Sequence, residues 1–474
     1  MKKTKIFAAF FAALLLAFVL VLAGCSQTPG VTSITLTSSD DKQSVYTIYY
    51  SDGSSQTLTV QNGQDVTVDE LYAKYKELYG EELSYDEFLQ KYLVLSVDNS
   101  TVIGKALQSS VKLYTEFVEN VSVSTGPFGF STVKETVQYT GSGVLYKMDE
   151  DSTYIITNYH VIYSNKSNTS ANGGTKTARR IVCFLYGSEN QSDPSPYKDS
   201  DGYTAYDYGE YAIDCELVGG SISKDIAIVK ANTKDVLAVN PNAQTASFAE
   251  EYHVGETAIA IGNPENEGIS VTQGIVSVDS EEIALQIDST ARSYRSLRID
   301  TAIYGGSSGG GLFNLKGELI GITNAGDPSD ENINYAIPLQ IAKGTADNIL
   351  YFYLDGNEQT TGAYNVSLGV SVTSQNSRYT YDASAGYGKI TEEIVVAEVS
   401  SGSIASELGL QQNDRLVGIT VNGVTKELDR TYDIADAILT LRPGDTLCFE
   451  TERGSETKTT SSYTLVWGDF RTLA

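Results

Sequence analysis

Histidine is almost missing from this chain: there are two in 474 residues, His160 and His253. A histidine-rich metal centre is therefore excluded, and any catalytic imidazole has two candidates. Cysteine is nearly as scarce. Cys25, Cys183, Cys215 and Cys448 contain no Cys-x-x-Cys pair, which removes zinc ribbons and thioredoxin-like redox chemistry. Basic residues are outnumbered, 33 Lys and Arg against 60 Asp and Glu. The formal net charge of −27 leaves no electrostatic footprint for DNA or RNA. What the chain has is length and apolar content. At roughly 150 residues per domain it predicts about three domains. Hydrophobic residues at 41% with charged residues at 20% is the balance of a folded protein.

Lys2, Lys3 and Lys5 precede an apolar run from Ile6 to Ala23. A basic start before such a run is the pattern of an export signal, and the run sits at the lower length limit for an uncleaved anchor. It ends in Leu22-Ala23-Gly24-Cys25, followed by the polar Ser26-Gln27-Thr28-Pro29-Gly30. This junction resembles the lipobox of bacterial lipoproteins. The resemblance implies cleavage after Gly24, a diacylglycerol on the Cys25 thiol, a tether over 25–30, and a chain held on the extracytoplasmic side of the cell membrane.

Residues 31–104 read as a small α+β module. Alternating segments over 44–50 and 56–60 flank Ser51-Asp52-Gly53-Ser54-Ser55, a hairpin pattern. Leu71, Tyr75 and Leu78 have helical spacing, and Ser84 with Glu87 suggests a capping box. Nothing in this module carries chemistry. From 106 to 354, short strands separated by Gly, Asn, Ser and Asp clusters predict an all-β barrel or sandwich, with surface insertions over 163–178 and 187–210. A helix is expected over 338–353 and a linker over 355–362. A last domain over 363–470 holds short strands and a helix near 432–441.

Three stretches stand out for their chemistry. Thr157-Asn158-Tyr159-His160-Val161 sets a histidine after an apolar strand. Asp225-Ile226-Ala227-Ile228-Val229-Lys230 sets an aspartate before one. Gly305-Gly306-Ser307-Ser308-Gly309-Gly310 sets a serine in a glycine-rich turn. A nucleophilic serine needs a base, a carboxylate to orient that base, and backbone N–H groups converging on the oxyanion. With Gly141-Ser142-Gly143-Val144, Ala260-Ile261-Gly262-Asn263-Pro264, Asp300-Thr301-Ala302-Ile303 and Ile333-Asn334-Tyr335-Ala336-Ile337-Pro338, these stretches resemble the HtrA/Deg branch of the trypsin-like serine proteases. The resemblance implies a mainly β architecture with a trypsin-like double β-barrel. It also implies His160 as base, Asp225 as its orienting carboxylate, Ser308 as nucleophile and the N–H groups of Gly306 and Ser308 as oxyanion donors. Ala302 would form the floor of the S1 pocket, and no cofactor or metal is needed. The nucleophile segment departs from the family's Asn-Pro-Gly-Asn, with Tyr304-Gly305-Gly306-Ser307 in its place. Gly311 replaces a proline, and Tyr159 stands where Asn or Ala is commoner.

The final domain resembles a PDZ domain through Val395-Val396-Ala397-Glu398-Val399, Gly402-Ser403-Ile404-Ala405 and Gly409-Leu410 to Asp414-Arg415-Leu416. That likeness implies a carboxylate loop at Leu368, Gly369 and Val370 that captures peptide C-termini. The apolar helix positions Ile434, Ala437, Ile438 and Leu441 are expected to face partly into the groove. Together the likenesses imply a membrane-tethered endopeptidase that acts on unfolded or damaged proteins. Homotrimers occur in such relatives, and Phe128 and Phe130 lie near the start of the protease region. An idle, peptide-binding holdase or sensor on the same scaffold stays open, as does an adhesin built on the N-terminal module. Cys183 and Cys215 flank the 187–210 insertion, and both a cross-strand bridge and two buried thiols are open to them.

Overall fold

The computed structural model describes residues 31–39, 43–50, 53–61, 72–73, 76, 99–126, 129–189, 193–327, 329–354, 362–382, 386–454 and 456–473. The expected export segment, Cys25, Leu71, Tyr75, Leu78, the Ser84/Glu87 pair, Phe128 and most of the expected linker lie outside them. The chain divides into two compact units, Met1–Val97 and Asp98–Ala474. In the first, β1 (Val31–Ser39), β2 (Gln43–Tyr50) and β3 (Ser55–Gln61) form an antiparallel sheet in that order. The expected hairpin is β2–β3, with Tyr46 opposite Leu58. Strand β1 is an addition that sequence reading did not anticipate.

The second unit opens with helix α1 (Asn99–Leu107). Strands β4 (Ser110–Gly126), β5 (Gly129–Met148), β6 (Ser152–Thr157) and β7 (Arg180–Leu185) follow. Then come β8 (Ser195–Lys198), β9 (Thr204–Asp207), β10 (Ile213–Ser221) and β11 (Ile226–Asn232), with helix α2 (Tyr159–Ile162) after β6. Six of these close a barrel in the order β10-β11-β6-β5-β4-β7, while β8 and β9 pair as a separate hairpin inside the 187–210 insertion. Past helix α3 (Thr233–Val239) come β12 (Ser247–Phe248), β13 (Thr257–Gly262), β14 (Ser270–Leu285), β15 (Arg292–Ile299), β16 (Gly311–Phe313), β17 (Glu318–Asp327) and β18 (Asp330–Pro338). They form a sheet ordered β12-β17-β16-β13-β14-β15-β18 that curls back on itself, because β17 also pairs with β18.

Tyr154-Ile155-Ile156 is a continuous apolar run because both faces of β6 are covered. Ile155 belongs to the barrel's inner core with Val111, Leu113 and Leu185. Ile156 belongs to the core shared with the second sheet, with Val144, Ile259 and Leu312. Helix α4 (Leu339–Leu354) packs Ile341, Ala342 and Ile349 on that shared core and sends Phe352 into the next one. The long β4–β5 hairpin leaves Phe130 exposed near its tip.

The C-terminal body has a core of its own, including Ile394, Val396, Leu416, Leu447 and Phe449. Its strands are β19 (Ala363–Val366), β20 (Val370–Asp382), β21 (Tyr387–Val399), β22 (Arg415–Val421) and β23 (Val424–Glu427). Strands β24 (Thr446–Arg453), β25 (Glu456–Thr459), β26 (Tyr463–Thr464) and β27 (Phe470–Leu473) complete them, with helices α5 (Ile404–Leu408) and α6 (Asp433–Leu439). The main sheet runs β20-β21-β22-β24-β25, which leaves β20 at an edge. The expected apolar helix positions pack together on this core: Ile434 and Leu441, just past the helix end, are buried in it, and Ala437 and Ile438 are half-buried against it. Leu439 packs against α4 in the core shared with the second sheet. An almost fully buried pair, Arg295 to Asp436 at 2.6 Å, ties β15 to α6.

Cys183 and Cys215 do sit on paired antiparallel strands, β7 and β10. The register sets Cys183 against Ile213 and Cys215 against Ile181, so the two are diagonal and both are free thiols. The two thiols nonetheless meet, and their hydrogen bond, with burial, pushes the Cys215 thiol well above its usual range.

Candidate active site

Strands β6 and β11 pair with Thr157 opposite Ala227, so the turn after one strand and the turn before the other meet at the same barrel end. That meeting brings His160, in α2, to Asp225, the residue just before β11. His160 Nδ1 lies 2.7 Å from Asp225 Oδ2, and the His160 backbone N–H donates to Oδ1 at 2.9 Å. Asn158 donates its side-chain N–H to the Asp225 carbonyl at 3.0 Å. Asp225 is fully buried and has a left-handed backbone, φ 51. Asp and Asn tolerate that region better than other non-glycine residues. With an ionised Asp225 as acceptor, the ring carries its proton on Nδ1, and Nε2 is the free base. Burial pulls the His160 pKa down, but the charge and hydrogen bond of Asp225 outweigh it and leave the ring above its usual 6.5.

Ser308 sits in the turn that leads into β16. Its hydroxyl donates to the Asn324 carbonyl at 2.9 Å. Asn324 sits at a register shift in the β17–β18 pairing, between the Thr323 and Ala325 pairs. The N–H groups of Gly306 and Ser308 take no acceptor among the described residues, while their neighbours are engaged. Gly309 N–H bonds to the Thr323 carbonyl, and the Ser307 carbonyl takes the Thr323 hydroxyl. Sequence reading gave Ser142 no role. Its N–H donates to the Ser308 carbonyl at 2.8 Å, its Oγ donates to the Gly306 carbonyl at 2.8 Å, and the same Oγ accepts from Asn263 N–H. The only available signal was a polar residue between two glycines on an apolar strand. Those glycines are needed for contact, since a Cβ on Gly141 would collide with Val161.

Ala302 lines a neutral cleft beside Ser307 with Ala260, Pro264, Thr272, Ile303 and Tyr304. Its free volume is about 10 Å³, room for one water-sized group. Tyr159 fills the space above Gly220, where a side chain would collide with its ring. His253 is apart from this cluster. It stacks on Tyr387 at 3.5 Å, and its Nε2 lies 3.5 Å from Glu251. In the C-terminal body, Leu368 is buried and Gly369 has φ 70. The N–H groups of Leu368 and Gly369 take no acceptor among the described residues, and Val370 opens the edge strand β20. No group of His, Cys, Asp and Glu able to hold a metal occurs among the described residues.

The trypsin-like peptidase domain model matches residues 141–322, a span that contains His160, Asp225 and Ser308. The Serine protease Do-like HtrA of Lactococcus lactis subsp. cremoris is 27% identical over 71% of this chain and 75% of its own length. The Serine protease Do-like HtrB of Bacillus subtilis is 27% identical over 67% of this chain and 60% of its own. The Serine endoprotease DegS of Escherichia coli is 30% identical over 49% and 60%. The chain therefore carries a trypsin-like peptidase domain and is homologous to HtrA/Do-like serine proteases, which makes it a serine endopeptidase by homology.

Proposed function

We propose that this homologue of the HtrA/Do-like proteases is a membrane-tethered, extracytoplasmic endopeptidase that cleaves unfolded or damaged proteins by acyl transfer. The observation that supports it most is the His160–Asp225 hydrogen bond at 2.7 Å, set in the same domain as a serine turn with two unpaired N–H groups. Ser308 Oγ attacks the scissile carbonyl and gives its proton to His160 Nε2. The N–H groups of Gly306 and Ser308 hold the oxyanion, and Asp225 holds the imidazolium. That proton then goes to the leaving amine. Water repeats the sequence on the acyl-enzyme, losing its proton to His160 and releasing the acid as Ser308 regains its hydrogen. The Ser308 hydroxyl rests on Asn324, so a rotation about χ1 precedes attack. The tether is a diacylglycerol on Cys25.

The test is hydrolysis of casein by residues 26–474 against the same protein carrying Ser308→Ala, with the cut sites sequenced. Cleavage after small apolar residues is expected. A Lys or Arg entering the neutral cleft at Ala302 would bury an unpaired charge. Cutting mainly after Lys or Arg would overturn the pocket assignment, and equal cutting by the Ser308→Ala protein would overturn the mechanism.

His160 must be neutral to accept a proton, and its charged form is favoured by Asp225. Activity is therefore expected to rise with pH through an apparent pKa above 6.5 in kcat/KM, and to be lost in acid. In Asp225→Asn, the residual activity should titrate at lower pH. A wild-type acid limb at or below 6.5 would contradict the pairing.

The C-terminal body is proposed to be a PDZ domain that takes peptide C-termini. The unpaired N–H groups of Leu368 and Gly369 beside the open edge of β20 support this reading. Titration of the same protein with an apolar-ended peptide should show binding of the free acid and little binding of its C-terminal amide. Equal affinity for both would remove the carboxylate loop from the assignment.

A further inference from the structure

The loop between β13 and β14 lies beside the nucleophile turn and is held in an unfavourable shape. Glu265 and Asn266, neither of them glycine, have φ 52 and φ 66 in succession. Left-handed residues of this kind persist only where surrounding contacts over-determine them. Two side chains contribute to those contacts. Asn263 Oδ1 accepts from Gly268 N–H at 3.0 Å, and Glu189 Oε1 accepts from Ile269 N–H at 3.2 Å. Glu189 comes from the first barrel, just past β7, and is 7% exposed. Its second oxygen accepts from Gly187 N–H, and its backbone carbonyl takes the Nζ of the buried Lys112 at 3.4 Å. The carboxylate is thus fixed on the barrel and reaches across to the loop of the second sheet.

The other side of that loop holds the serine turn. Glu265 N–H donates to the Gly305 carbonyl at 2.6 Å. In a trans peptide the carbonyl of one residue and the N–H of the next point in opposite directions. Holding the Gly305 carbonyl toward the loop therefore aims the Gly306 N–H away from it. We propose that Glu189 is a positioning residue for the oxyanion site: its buried carboxylate fixes the 263–269 loop, and the loop fixes the direction of the Gly306 N–H. The proposal rests on the acyl-transfer reading, and its test has one arm that does not.

The comparison is wild type, Glu189→Ala, Glu189→Gln and a control, Glu116→Gln. Glu116 is also a buried carboxylate of the first barrel, but its charged neighbours are Arg179 and Arg180. For Glu189→Ala, kcat is expected to fall about 100-fold, as misplacement of an anchored group does, with KM little changed. Hydrogen exchange is expected to speed up at the amides of Glu265, Gly268 and Ile269. Glu189→Gln keeps one acceptor oxygen and should keep an intermediate kcat; Glu116→Gln should keep both readouts. A folded Glu189→Ala protein with wild-type kcat would overturn the proposal. So would unchanged exchange in the loop, a rise in KM alone, or an equal fall in Glu116→Gln. If the alanine variant does not fold, Glu189→Gln decides by the same readouts. An inactive wild type would end the acyl-transfer reading, and the exchange arm would still support or overturn the hold of Glu189 on the loop.

Discussion

Ser308→Ala is expected to abolish peptide hydrolysis while leaving the melting temperature close to that of the wild type. The change removes one hydroxyl whose hydrogen bond, to the Asn324 carbonyl, is worth about 1 kcal/mol. His160→Ala should be as inactive but less stable, because Asp225 would keep the backbone N–H of residue 160 and lose the ring. Asp225→Asn is the informative variant. Asparagine tolerates the left-handed backbone at φ 51, so the turn before β11 survives, whereas alanine would add strain and blur the result. Its amide can still accept the His160 backbone N–H, but it presents a donor to Nδ1 and drives the ring proton to Nε2. The base is then blocked, and kcat should drop by about 10⁴. His253→Ala should stay near wild-type activity, since its ring stacks on Tyr387 and faces Glu251. An inactive His253→Ala beside an active His160→Ala would reverse the assignment of the two imidazoles.

What could be read from the sequence was local. The apolar run Tyr154-Ile155-Ile156, the aspartate before Ile226-Ala227-Ile228-Val229 and the glycine-rich serine turn each announce a strand end or a tight turn. The three residues they carry fall in the trypsin-like domain. The β2–β3 hairpin was legible for the same reason. What escaped depends on contacts between distant segments. Nothing in Ser142 as a residue says that its hydroxyl will sit between the Gly306 carbonyl and the Asn263 N–H. Glu189 reads as one acid in an insertion, yet it bonds a backbone N–H in the loop that leads into β14. Periodicity placed Ile434, Ala437, Ile438 and Leu441 on one face, and they do pack on one core, but it said nothing of the rest of α6. There Leu439 is buried against α4, and Asp436 pairs with Arg295. The strand pairing of Cys183 and Cys215 was also legible, whereas its register, which sets them diagonally, was not.

Gly306→Ala is expected to lose about 10²- to 10³-fold in kcat, the cost of losing an oxyanion donor, and Gly305→Ala almost nothing. The two glycines are neighbours with opposite constraints. Gly306 has φ 95, and a Cβ there would fall well inside contact distance of the Asn263 carbonyl oxygen. That oxygen belongs to backbone beside the strained loop, so it cannot swing away as the end of a flexible side chain would. Either the loop shifts or the 305–306 peptide turns, and both move the Gly306 N–H. A Cβ on Gly305 would meet no atom within 4 Å, and the φ of Gly305 lies outside the positive region. Alanine at 305 should therefore fold normally and gain about 0.4–1 kcal/mol from a less flexible unfolded chain. The pair of variants separates two ways in which this glycine-rich turn could set activity. If freedom of the turn is what matters, both alanines slow the enzyme, and the stiffer Gly305→Ala is slower than wild type at equal KM. If the direction of one N–H is what matters, only Gly306→Ala fails. Full activity in Gly306→Ala would remove its N–H from the oxyanion site and, with it, the reason for Glu265 to hold the Gly305 carbonyl.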